Sequence, residues 1–153
     1  MSINIRQKGQ TGEREIATML NDRVQRLRMQ FGLTVHPVSD LPFQRNQNQS
    51  AVGGDDLTNP FSMAIEVKRQ EVLSVNTWWK QCEASAARSG GIPILCYRQN
   101  RKPWVFMLQV DIPVAVPKST RLIYVTKVRA SLSQESFIAW FDRYYEMWLE
   151  ANS

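Results

Sequence analysis

Ser62-Met63-Ala64-Ile65-Glu66-Val67-Lys68 is the stretch that decides how this chain is read. Apolar and polar residues alternate along it with the period of a β-strand, whose successive side chains point to opposite faces. Met63, Ile65 and Val67 form a face that can bury. Ser62, Ala64, Glu66 and Lys68 form the other, so a carboxylate and an ammonium project side by side. Asp56 stands ten residues before Glu66, behind Gly53-Gly54, a separation that lets a short hairpin partner bring a second carboxylate alongside. Two carboxylates and a lysine at one spot suit a hard cation with a water-orienting amine beside it. Metal-assisted phosphodiester hydrolysis uses such a set of groups.

Composition frames that reading. A chain of 153 residues is expected to form a single domain over 1–153 with a real core. Its net charge of +5 is unevenly spread. Residues 133–153 carry Glu135, Asp142, Glu146 and Glu150 against Arg143 alone, a local −3 that leaves +8 on the remaining 132 residues. A basic body with an acidic, aromatic tail points to a polyanionic partner and to a face that avoids it. His36 is the single histidine, which excludes zinc sites built on paired histidines. Cys82 and Cys96 have no Cys-x-x-Cys spacing and are expected to be reduced core residues of a cytoplasmic protein. No apolar run approaches the length of a membrane span, so no membrane partner is expected.

Periodicity supplies the elements. A first helix is expected from near the cap-like Thr11, with Glu13 and Glu15 in its first turn. Ile16, Leu20, Val24 and Leu27 form its apolar stripe, and Glu13 lies on that stripe, where a buried carboxylate needs a partner. A short strand is expected at Leu33-Thr34-Val35 and an amide-rich loop over Leu41–Ser50. After the Glu66 strand, a second helix from the cap Ser74 to Arg88 ends at Ser89-Gly90-Gly91 and places Trp78, Cys82 and Ser85 on one face, beside Gln81. Strands are expected next at Ile92–Tyr97 and Trp104–Leu108, with an edge strand at Arg121–Val125. A last helix from near Ser133 carries Phe137, Trp140, Phe141, Tyr144, Trp148 and Leu149, a stripe that reads as core or as a subunit interface. The order gives an α/β sandwich with a mixed sheet, and the acidic constellation at the mouth of its second and third strands.

Lys8-Gly9-Gln10-Thr11-Gly12-Glu13-Arg14-Glu15, then Gly54-Asp55-Asp56-Leu57, then Ile65-Glu66-Val67-Lys68, resemble the PD-(D/E)XK nuclease superfamily. Within it the chain is similar to archaeal Hjc-type and phage Holliday junction resolvases, over roughly residues 6 to 109. Gln81 and the segment from Ile92 to Trp104 carry the likeness to a phage branch, which makes Gln81 a candidate support of the active site. The resemblance implies a restriction-endonuclease-like αβββαβ core, here extended from about residue 110 by a strand and a helix. It implies that Asp56, Glu66 and the Val67 carbonyl bind Mg²⁺ or Mn²⁺. Lys68 would orient the attacking water, and Glu13 would bind or support the metal. It implies a homodimer acting on branched DNA, in the host cytoplasm if the chain is phage-encoded. The usual Pro-Asp is Asp55-Asp56 here; Asp56 has the family-like spacing and is taken as the ligand.

Arg6, Lys8, Arg14, Arg45, Arg69, Lys80, Arg98, Arg101 and Lys102 are the candidate phosphate contacts, which position a nucleic acid without reading its sequence. Trp78 and Trp79 are candidates to stack on exposed bases. Two further readings stand beside the resolvase: a nuclease acting on flaps, nicks, single strands or duplex, and a non-catalytic nucleic-acid-binding module of the same fold.

Overall fold

The computed structural model describes residues 2–47, 55–114 and 125–153. Its elements run α1 (Ser2–Gln30), β1 (Gln44–Arg45), β2 (Leu57–Thr58), β3 (Met63–Arg69), α2 (Val75–Ser89), β4 (Ile92–Arg98), β5 (Val105–Pro113), β6 (Val125–Ser133) and α3 (Gln134–Ala151). The six strands form one sheet in sequence order. Only β3 and β4 are parallel, joined by the α2 crossover, with Glu66 opposite Leu95; the other pairs are antiparallel. This is the expected mixed α/β sandwich with its C-terminal strand and helix.

Alternation along the central strands divides the core between two faces. Ile65, Val67, Ile94, Cys96, Phe106 and Leu108 pack with Ile16, Leu20 and Val24 of α1 and with Phe137, Phe141 and Tyr145 of α3. Leu95 and Met107 point the other way and meet Trp78, Trp79 and Cys82 of α2. Both tryptophans are therefore core rather than stacking platforms. In the aromatic stripe of α3, Phe137 and Phe141 are fully buried, and Trp140, Tyr144, Trp148 and Leu149 are partly buried against the same core cluster. Arg23 of α1 and Asp142 of α3 form a two-pronged ion pair that ties the two helices on this face together. No described helix is long and apolar enough to cross a membrane.

The structure corrects several sequence-based boundaries. The helix α1 begins at Ser2, not near Thr11. Thr11 is no cap, because its hydroxyl donates to the Gln7 carbonyl at 2.8 Å, one turn back. Glu13 and Glu15 thus sit inside the helix. Leu33-Thr34-Val35 is not a strand. Arg28 of α1 donates to its Thr34 carbonyl, and Gln25 brackets the adjoining His36 through both N–H and carbonyl. Asn21, buried, brackets Phe43 in the same way, at 2.8 and 2.9 Å, just before β1. The expected loop over Leu41–Ser50 thus contains a short strand, while Gly53-Gly54 and residues 48–52 lie outside the described residues. Ser74 precedes α2 without a side-chain cap bond. The strand expected to end at Leu108 continues to Pro113, paired along its whole length with β6. Of the edge strand expected at Arg121–Val125, only Val125 is described, as the start of β6.

Candidate active site

Three elements bring the candidate groups together. β3 presents Glu66 and Lys68 on its α2 face, with Lys68 Nζ 3.0 Å from Glu66 Oε1. β2 runs antiparallel beside it, Leu57 opposite Ile65, so Asp56 just before β2 falls next to Glu66. Two bonds clamp Asp56 to β3: its N–H donates to the Ile65 carbonyl at 2.9 Å, and its Oδ2 accepts from the Val67 N–H at 2.7 Å. Asp55 takes a separate route, accepting from the Ser85 hydroxyl of α2. The choice of Asp56 over its neighbour thus has a structural counterpart.

Glu13 reaches the site from α1. It is 8 % exposed, and Arg45 Nε of β1 lies 2.7 Å from its Oε2. A buried carboxylate on the apolar stripe needed a partner, and that partner is the arginine assigned to phosphate binding. Gly12 makes the approach possible. A Cβ there would stand 3.2 Å from Arg69 Cβ, 3.3 Å from the Trp104 ring and 3.4 Å from Val67 Cγ1, so any side chain would make these neighbours give by a few tenths of an ångström.

The electrostatics are strained in one direction. Burial first, then the Glu66 carboxylate, raise the Asp56 carboxyl from its ordinary 3.8 to about 7. Glu13 adds to the rise, while the Val67 N–H and Lys68 oppose it. Glu13, Asp56, Glu66 and Lys68 therefore share one electrostatic neighbourhood, with more acid than base in it. Cys82, on the α2 side, is pushed up to about 12 by burial and by Glu66, which makes it an inert thiol.

Among the described residues, no three carboxylate, histidine or cysteine side chains form a group that could hold a metal ion. What stands there instead is a pair of carboxylates, Asp56 and Glu66. Mg²⁺ is commonly held by one or two carboxylates, with water and substrate phosphate completing its shell, so the donors fit that ion and not a zinc cage.

The other assigned residues divide sharply. Arg69 and Arg98 both bond Glu15, at 3.0 and 3.1 Å, where Trp104 Nε1 also donates at 3.1 Å. Arg98 in addition lies over the Trp104 ring, 5.5 Å from its centre. These two arginines, both candidate phosphate contacts, pin α1 to the ends of β3 and β4. Lys8 stands 3.8 Å from Glu71. Arg6, Arg14, Lys80, Arg101 and Lys102 are exposed, as is Gln81 on α2. The Glu13–Arg45 pair and the Glu15 hub went unread because their partners lie 32, 54 and 83 positions apart. The one local signal was Gly12, a small residue beside an acid on the buried stripe.

Among curated proteins, nothing matches this chain. Residues 4–149 match the family model described as "Phage putative PDDEXK endonuclease". That match spans nearly the whole sequence, and the chain belongs to this phage family of PD-(D/E)XK endonucleases.

Proposed function

We propose that this chain is a metal-dependent, structure-selective DNA endonuclease that resolves four-way junctions as a homodimer in the host cytoplasm. The observation that carries the catalytic part is the convergence of Glu13, Asp56, Glu66 and Lys68, with burial and a second carboxylate raising Asp56 to about 7. Structural acids are normally neutralised by their neighbours. Here the excess negative charge is left for a cation to balance.

Asp56, Glu66 and the Val67 carbonyl would hold Mg²⁺, with Mn²⁺ able to replace it, and Glu13 would support the set. When bound, such an ion acidifies a water and neutralises charge growing on the phosphoryl oxygens. The chain's own residues position the rest. Asp56 is fixed by its bond from the Val67 N–H, so its carboxylate needs no rearrangement. Lys68 is paired with Glu66 at 3.0 Å. From there the ammonium would donate to the attacking water and to a phosphate oxygen. Arg45 holds Glu13 in place from the opposite side. Exposed Arg6, Arg14, Lys80, Arg101 and Lys102 supply backbone contacts without sequence readout.

The test is cleavage of a labelled, immobile four-way junction against matched linear duplex in Mg²⁺, Mn²⁺ or EDTA. Paired, symmetric nicks in the junction alone, dependent on metal, are expected. Equal cutting of both substrates would keep the nuclease and overturn junction selectivity. Binding without cleavage in either metal would leave a nucleic-acid-binding module.

A further inference from the structure

We infer that the polar groove between the N-terminal part of α1 and β1 holds the sugar–phosphate backbone of one nucleotide flanking the cleaved phosphate. This rests on the nuclease reading and adds a subsite to it. The groove has a volume of about 470 Å³, and Arg6, Gly9, Gln10, Glu13, Arg45 and Asn46 are among its lining residues. That size fits one small group rather than a double helix. Glu13 belongs both to this groove and to the acidic cluster, so whatever occupies the groove abuts the reacting phosphate.

The lining sets the chemistry. Arg6 is exposed on one wall. Arg45 stands on the other, with its Nε 2.7 Å from Glu13 Oε2. Guanidinium groups match phosphate oxygens in geometry as well as charge. The amide of Gln10 offers both a donor and an acceptor to sugar and phosphate oxygens. None of the lining residues is aromatic, so a base finds no stacking platform here. The backbone is the part of a strand that such a surface recognises.

Gly9 is an independent observation. A glycine inside a helix is disfavoured relative to alanine, and such a residue usually has a packing reason. Gly12 has one. Gly9 has none, because a Cβ there would meet nothing within 4 Å. Its effect is to leave the wall of the groove open to a strand.

The experiment is a scan in which each phosphate around the mapped cut is replaced singly by a neutral methylphosphonate. Affinity is read in Ca²⁺ and in EDTA, and cleavage in Mg²⁺, for wild type, Arg6→Ala and Gly9→Leu. At one position next to the cut, the neutral phosphate should weaken wild-type binding about tenfold, the scale of one charge-assisted contact. The same replacement should cost Arg6→Ala nothing further. Gly9→Leu should lose affinity while keeping or raising its Tm. Additive losses at every position, or wild-type affinity in Gly9→Leu, would overturn the subsite and leave the nuclease standing. Coupling at one phosphate without cleavage in any metal would keep the binding groove and sink the nuclease reading. No DNA binding at all would remove both.

Discussion

Two charged clusters stand on opposite sides of the same stretch of α1, and they are built on opposite plans. Around Glu15, one carboxylate meets two arginines and an indole N–H, and every distance is near 3 Å. Around Glu13, three carboxylates share Arg45 and Lys68, and one of the acids is pushed up to about 7. The first cluster ties α1 to β3 and β4 through three bonds to one carboxylate, while the Nε atoms of Arg69 and Arg98 are buried without a hydrogen-bond partner. The second holds more acid than base among the described residues. A two-residue step along one helix thus separates two opposite electrostatic settings, and the partners make the difference, since both residues are glutamate.

The contrast can be broken first at the acidic cluster. Asp56→Asn or Glu66→Gln should lower cleavage by about three orders of magnitude, the scale of losing a main electrostatic stabiliser, with DNA binding retained. Nicking rates beside a binding assay would check it, and surviving cleavage would remove the metal assignment. The same Asp56→Asn change should act in the reverse direction on stability. Between about pH 4 and 7 the folded protein holds a proton on Asp56 that the unfolded chain has released. Stability is therefore highest below that window and falls as pH rises through about 7. Ionised Asp56 costs about 4 kcal/mol without a cation. In EDTA the asparagine variant should melt several degrees above wild type at pH 8, with the gap closing toward pH 4.

At the Glu15 cluster the expected effect is a loss of stability. Glu15→Ala leaves two half-buried arginines facing each other and should cost about 2 kcal/mol in urea unfolding. Glu15→Gln, which keeps an acceptor, should cost less than half of that. Neither loss should respond to EDTA, whereas the stability of the acidic cluster should. The smallest expected effect sits between the two clusters. Gly12→Ala gains helix propensity of about 1 kcal/mol but must push against Arg69, Trp104 and Val67. Its melting point should barely move, while cleavage falls by about threefold to tenfold as Glu13 is displaced. Unchanged cleavage would show that the close approach at Gly12 does not set the position of Glu13.

The parts of this protein that could be read in its sequence are those written in local period. The alternation of Met63–Lys68 gives both faces of β3 directly, and the spacing of Asp56 from Glu66 anticipates the β2–β3 hairpin. The helix α2 and its glycine stop come from propensity alone, with Gly90 in the left-handed region at φ 72°. Local signals also misled. Thr11 between two glycines resembles a helix start, yet the helix runs through it. Leu33-Thr34-Val35 has the composition of a strand, but Arg28 takes the Thr34 carbonyl and Gln25 takes both backbone groups of the next residue, His36. Charge was the least legible property. Arg45, Arg69 and Arg98 look like free cations until the fold brings each to an acid far away in sequence.

Asn46 ties the end of β1 to the start of β2. Its backbone N–H donates to the Asp56 carbonyl at 2.9 Å and its side-chain amide donates to the Asp55 carbonyl at 3.0 Å. The chain that leaves at Asn46 therefore returns to the same point before entering β2. Asp56 is thus held from two strands at once, its carbonyl by Asn46 at the end of β1 and its N–H and carboxylate by β3. A fault at Asn46 would therefore reach the carboxylate through the backbone, without any contact to the acidic groups themselves.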